Sequence, residues 1–508
     1  MNEENFCIDI SVYDLEKAFD ALWLEDCLID LYDTLPEDQH DDKLALVYES
    51  NRNNLVAIKT AVGLTKRVNM EKIVTQGGTF GPIECSNSID KIGQKCFNNG
   101  EHLFFYKKMV SVMPLSFVDD LLSISKCGTD SLSLNTYINA QIETKRLRFH
   151  TPDVNGKSKC HYLHIGKRNK LCPELQVHGT QMQKVSEETY LGDIISEDGK
   201  NTKNIKSRLA KGLGIISQIM NILESVTLGE HFFATAVLLR ETMFLNGILT
   251  NTEIWYGLKK SEVEELENLD KSLLRQILNT PISTPSESLF LELGCLDIHS
   301  VLKSRRINYL HYLATRNESE MINKFFLVQW KYPTNNKDWT EQVKCDLTDF
   351  EIPVDLEFIK SKSKSSFKTM VKMKAKEFSF FKNMENKLNH SKMEDIFYSE
   401  LKMQNYLNSK KFTATQAKTI YSFRTRMANF KENFRGIQGH SPCPLCLFHM
   451  DTQSMAFQCP QLISEGLING NLQDIFSENI PMELVNTLTK IVSYREKYMQ
   501  EREVDKQD

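Results

Sequence analysis

The most constraining feature of this sequence is a pair of adjacent aspartates, Asp119 and Asp120, inside an apolar, β-rich run, SVMPLSFVDDLLSISK. Neighbouring carboxylates repel one another and resist burial, so the run cannot cross a core as one continuous strand. It has to fold back at the acids, as a hairpin with Val118, Asp119 and Asp120 at its turn. A third acid, Asp14, ends a second apolar run, FCIDISVY at 6–13. A carboxylate cluster at the ends of buried strands is tolerated mainly where a cation neutralises it, and hard oxygen ligands favour Mg²⁺ or Mn²⁺. Taken singly, Asp14 and the Asp-Asp pair read equally well as solvated strand ends.

The surrounding pattern is mixed. After the first strand the spacing becomes helical, with Leu24, Leu28, Leu31 and Leu35 on one face. Residues 42–62 read as helix then strand, and EKIVTQGGTFGPIECSNSIDKIGQKC as strand, Gly-rich turn and a helix from about Pro82. Residues 131–147 read as helix and 157–166 as strand. Beyond YLGDII at 190–195 the strand signals fade into long 3.6-period segments. The expected fold class is therefore α+β: an antiparallel sheet with helices over 1–200, then a mainly α-helical part. We divide the latter into helices at 201–330, a helical extension with a lysine-rich stretch at 331–435, and a small Cys-containing tail with C-terminal helices at 436–508.

At 508 residues, with 41% hydrophobic and 25% charged residues, the chain has the makings of several folded cores and is not a disordered or collagenous sequence. No apolar run is long enough to span a bilayer and the first residues lack a secretion signal, so the expectation is an intracellular protein, nuclear or cytoplasmic, with no membrane partner. A net charge of -5 argues against indiscriminate coating of polyanions, leaving local patches. One patch holds Lys360, Lys362, Lys364, Lys368, Lys372, Lys374 and Lys376 with no acid between them, which suits a solvated helix face or a phosphate contact. Most of the 12 cysteines are scattered singly and read as reduced core thiols. Cys443, Cys446 and Cys459 cluster, and with His449 they make a credible Zn²⁺ set, because a Cys-x2-Cys loop brings two thiolates onto one ion. Nearby, Arg424, Arg426, Lys431 and Arg435 interleave with Phe423, Phe430 and Phe434, as nucleic-acid contact or amphipathic packing would require.

The order of DLEKAFD (14–20), QGGTFGP (76–82), FVDD (117–120) and YLGDII (190–195) resembles the palm of reverse transcriptases, and the wording is similar to that of non-LTR (LINE-type) retrotransposon polymerases. The resemblance implies a right-hand polymerase: a palm with its fingers largely missing, a helical thumb, an extension and a zinc-binding tail. It casts the chain as the 5′-truncated product of such an element. It implies RNA-directed DNA polymerase activity, in which two metal ions assist transfer of dNTPs onto a primer 3′-hydroxyl, with RNA template and DNA primer or target as partners. Asp14 and Asp119 would hold the metal and Asp120 would support them. Lys159 would help protonate the leaving pyrophosphate, Phe19 would exclude a ribose 2′-hydroxyl, and Gln76 and Gly77 would contact the nucleotide and template. The YLGDII hairpin would grip the primer end. A catalytically silent remnant that only binds nucleic acid is the alternative.

Overall fold

The computed structural model describes residues 7–52, 55–69, 81–99, 104–126, 128–152, 158–166, 174–225, 231–334, 338–433 and 441–504. The chain forms two compact units, one of residues 1–203 with 317–334, the other of 204–316 with 335–508.

The first unit is built on a five-stranded sheet whose centre is Ile8–Asp14. This strand pairs antiparallel with Asp120–Lys126 on one side and with His161–Ile165 on the other. Leu115–Phe117 closes one edge through the expected hairpin, and Gln183–Lys184 joins the other in parallel. Strand alternation decides what each face meets. Tyr13, Leu121 and Tyr162 turn to a core shared with Gly81–Asn99, through Cys85, Ile89, Ile92 and Cys96, and with Thr129–Thr144, through Leu134, Ile138 and Ile142. Ile10, Val12, Leu122 and Leu163 face the opposite way and are covered by Tyr190 and Ile195 of a second hairpin.

That second hairpin joins Glu187–Tyr190 to Asp193–Ser196. Its turn residues Leu191 and Gly192 both have positive φ, 48° and 84°, the twist a two-residue hairpin loop demands. A helix at Leu24–Tyr32 follows the first strand and buries Cys27 and Asp30, so the core-facing stripe differs from the leucine spacing. Met321–Lys331, expected with the thumb, belongs to this first unit, where Phe325 stacks on Tyr106 at 4.2 Å.

The second unit is helical. Thr202–Ser225, Phe232–Leu239, Lys260–Leu278, Ser286–Leu293, Ile298–Ala314, Ala414–Arg424 and Met482–Val504 converge on one core that runs from Ile205 to Ile491. Tyr421, Cys443 and Cys459 lie inside it, so the three segments drawn beyond residue 200 are not separate: helices far apart in sequence share their apolar faces. Charged side chains are buried in matched sets. Arg240 meets Asp270 through Nε and Nη2 at 2.7 and 2.5 Å, at a point where the helix widens to π-type over Arg240–Leu245. Glu292, fully buried, accepts from the Tyr398 and Tyr406 hydroxyls at 2.8 Å each and from Arg424 Nε at 3.2 Å. Arg424, Phe423 and Phe430 are therefore core residues, whereas Arg426 is half-buried and Lys431 exposed; Arg435 and Phe434 lie outside the described residues. No described helix is long and apolar enough to cross a membrane.

Candidate active site and metal centre

Strand register explains how the acids meet. Asp14 is the last residue of the central strand and lies directly opposite Asp120, the first residue of its neighbour. Asp120 in turn pairs with Phe117, leaving Val118 and Asp119 as the two-residue loop. Val118 has φ 57°, so a β-branched residue occupies the left-handed region, a conformation costing on the order of 1–3 kcal/mol and typical of functional turns. Its side chain packs on the helix-side core, which supplies the restraint. All three carboxylates thus converge at one end of the sheet, as the spacing led us to expect.

The chain around Asp14 is fixed on both sides. Its carbonyl accepts from His150 N at 2.8 Å, and its N–H points to Cys160 Sγ at 3.5 Å. Lys159, next to Cys160 and 61% exposed, reaches Asp14 Oδ2 at 3.0 Å. This contact is an ion pair, and among the described residues the buried Oδ2 accepts no hydrogen bond. Burial, then the charges of Asp119 and Asp14, push the Asp120 carboxyl above the usual range. Three carboxylates gathered at one strand end, with Lys159 the one cation paired to them among the described residues, are a donor set that suits a hard divalent cation. Lys159 precedes the strand His161–Ile165, which is paired on both sides.

Two neighbours were not expected beside the acids, Tyr190 of the YLGDII motif and Cys85. Tyr190 stands close enough to Asp120 that burial and that charge raise its phenol. Cys85 is pushed up to about 12 by burial and then by Asp119. Only the packing of the second hairpin and of the Gly81–Asn99 helix reveals them. Phe19 is half-buried against the helix-side core, on the short helix Ala18–Ala21. Gln76 and Gly77 lie outside the described residues.

The cysteine cluster is in the second unit. Cys443, Cys446 and Cys459 bring their sulfurs within 4.8 Å of one another. The loop closes through Cys443 N to His449 O at 2.7 Å and a Pro442–Met450 bridge, while Cys459 opens the helix Pro460–Ser464. Burial raises the Cys446 thiol, but the N–H groups of His449 and Phe448 outweigh it and leave the thiol below its ordinary value. Burial pushes Cys459 up to about 11. His449 is not part of the trio: it contributes its carbonyl to the loop, and its ring lies edge-on to Phe448. Asp451 is held by Arg495 at 2.8 Å. Of the other described cysteines, 27, 85, 96, 160 and 295 are free and buried as expected, whereas Cys345 is free but exposed and Cys7 is in a disulfide.

No family model and no curated protein matches the chain. Among solved structures it is similar to telomerase from Candida tropicalis in complex with the TWJ fragment of telomeric RNA, at 12% identity and TM-score 0.29, with 66% of this chain and 50% of that one covered. It is also similar to telomerase from Candida albicans with the same kind of RNA fragment, at 14% identity and TM-score 0.26, with 70% and 50% covered. The chain spans about half the length of these structures, and the geometry of the acids, rather than this distant likeness, carries the functional reading.

Proposed function

We propose that the first unit is the palm of an RNA-directed DNA polymerase of the LINE type. The supporting observation is the register that sets Asp14 opposite Asp120 and beside the Asp119 turn, with Lys159 at Asp14. In this reading a primer 3′-hydroxyl attacks the α-phosphate of a dNTP paired to RNA, and the bond to pyrophosphate breaks. Asp14 and Asp119, with Asp120 in support, would hold Mg²⁺ or Mn²⁺, which supplies charge neutralisation at the phosphates. Lys159 would give a proton to the departing pyrophosphate. Phe19 would press on the sugar and select dNTPs, and the Tyr190 hairpin would hold the primer end beside the acids. Cys443, Cys446 and Cys459 would hold Zn²⁺, with the fourth position filled by none of the described residues.

The test is extension of a DNA primer on an RNA template in Mg²⁺ or Mn²⁺ by the full chain and by Asp119→Asn. Incorporation by the wild type and its loss in the variant support the reading. A second reading, a catalytically silent chain that binds nucleic acid, draws on the Lys159 ammonium 3.0 Å from Asp14, where it competes with a cation. No incorporation, with hybrid binding intact in both proteins, would favour it.

A further inference from the structure

The 24-residue helix Lys364–Lys387 buries one row of side chains: Phe367, Val371, Ala375, Ser379 and Asn383. Lys364, Lys368, Lys372 and Lys376 form the adjacent row, all exposed. Four-residue spacing stacks them on one side of the helix, rising about 6 Å per step. The row drifts about 40° around the helix at each step, so the ridge is oblique and spans about 18 Å of the axis.

These lysines are treated differently from others on the same helix. Lys374 pairs with Glu351 at 3.1 Å and Glu377 at 2.9 Å, and Lys382 pairs with Asp297 at 3.0 Å. Among the described residues the four ridge lysines have no ion pair, and the positions three and four residues away along the ridge are Ser, Thr, Phe, Val, Met, Ala or Lys. Like charges at this spacing repel and weaken a helix. The buried row beneath keeps the helix in place, so the repulsion along Lys364, Lys368 and Lys372 persists in the free protein, while the charge of Glu400 reaches only Lys376 at the end of the ridge; a line of negative charge laid along it relieves the repulsion.

We infer that this ridge is a docking surface for the phosphate backbone of a double-helical nucleic acid. A duplex presents a rigid, regularly charged surface, about one negative charge per 1.7 Å of axis with both strands counted, which an oblique row of cations on a fixed helix can meet without ordering either backbone. Lysines in such a row act as point charges on phosphate and carry no base specificity. The inference rests on the reading that the chain works on nucleic acid, but not on catalysis.

The experiment measures binding of the full chain to a fluorescent RNA–DNA hybrid between about 50 and 200 mM salt. It compares wild type with Lys364→Gln/Lys368→Gln/Lys372→Gln/Lys376→Gln and with the four Lys→Arg changes. Each phosphate contact contributes about 0.9 to the slope of log affinity against log salt, so the Gln variant should lose about 3.6 from that slope. Over this range its affinity should fall about 150-fold less than that of the wild type. The Arg variant should keep the wild-type slope. An unchanged slope in the Gln variant overturns the ridge, as does an equal loss in the Arg variant, which would mark a packing effect. Primer extension by wild type with an unchanged Gln slope would remove the ridge and spare the polymerase. A lysine-dependent slope without incorporation would do the reverse.

Discussion

The facing acids make a quantitative prediction that needs no substrate. Asp14 and Asp120 are directly opposite in an antiparallel pair, where Cα atoms lie about 4.5–5.5 Å apart. At an effective dielectric of about 20, two unit charges at about 5 Å repel by roughly 3 kcal/mol, and partial exposure screens this towards the roughly 1 kcal/mol upper value for opposed strand pairs. Asp120→Asn should therefore stabilise the first unit in chelator at neutral pH by up to about 1 kcal/mol, a rise of about 2–4 °C in its melting temperature. The sign of the pH dependence follows from the raised Asp120 carboxyl. Its ionisation destabilises the fold above the raised value, and the penalty disappears as pH falls through the ordinary carboxylate range, so the advantage of Asn should vanish in acid. Adding Mn²⁺ at ten times its dissociation constant should stabilise the wild type by about 1.4 kcal/mol and the variant by less, closing the gap. Differential scanning fluorimetry in EDTA and in Mn²⁺ reads both arms. A variant less stable than wild type in EDTA, or equal Mn²⁺ shifts in both proteins, would refute the reasoning.

Other substitutions probe the second unit. Asp270→Ala leaves the Arg240 guanidinium buried without its carboxylate and should cost about 3–5 kcal/mol, seen as an early transition in chemical denaturation; a loss below about 1 kcal/mol would mean the site admits water. Cys459→Ser should lower bound zinc measured by atomic emission and make the melting curve insensitive to chelator, whereas equal zinc in both proteins would place any metal elsewhere. Burial pushes Asp297 up, yet Lys382 and the Ser379 and Ser300 hydrogen bonds outweigh it and hold the carboxyl below its ordinary range. Its contribution is thus present at neutral pH and lost as pH falls through and below that range, and Lys382→Met should flatten this acid limb of the stability profile.

The order of elements in the first unit was legible because periodicity and the Asp-Asp turn are local. The Asp120–Lys126 strand and the Gly81–Asn99 helix lie where spacing placed them, and a hairpin forms at YLGDII, which the resemblance implied. What remained hidden depends on partners distant in the chain. Arg424 looked like a nucleic-acid contact until Glu292, on another helix, took it into the core. His449 sits at a plausible ligand spacing, but its backbone is consumed in closing the loop and its ring is turned away. Lysine spacing was visible, yet which lysines find acids depends on Glu351 and Asp297, both outside the stretch.

The central place of Ile8–Asp14 has a consequence for how the protein is made. This strand emerges from the ribosome well before its neighbours, which end at Lys126 and Ile165. At about 5–20 residues per second, roughly 8–30 s pass before both are synthesised. Through that interval Ile10 and Val12 have no sheet to enter, and closing so long a loop is entropically slow. Hairpins such as 115–126 can form early, while the strand that carries Asp14 docks later. Assembly of the acid cluster thus waits for strands made long after Asp14, and a nascent chain halted before residue 165 would expose an apolar strand to chaperones or to its neighbours on the polysome.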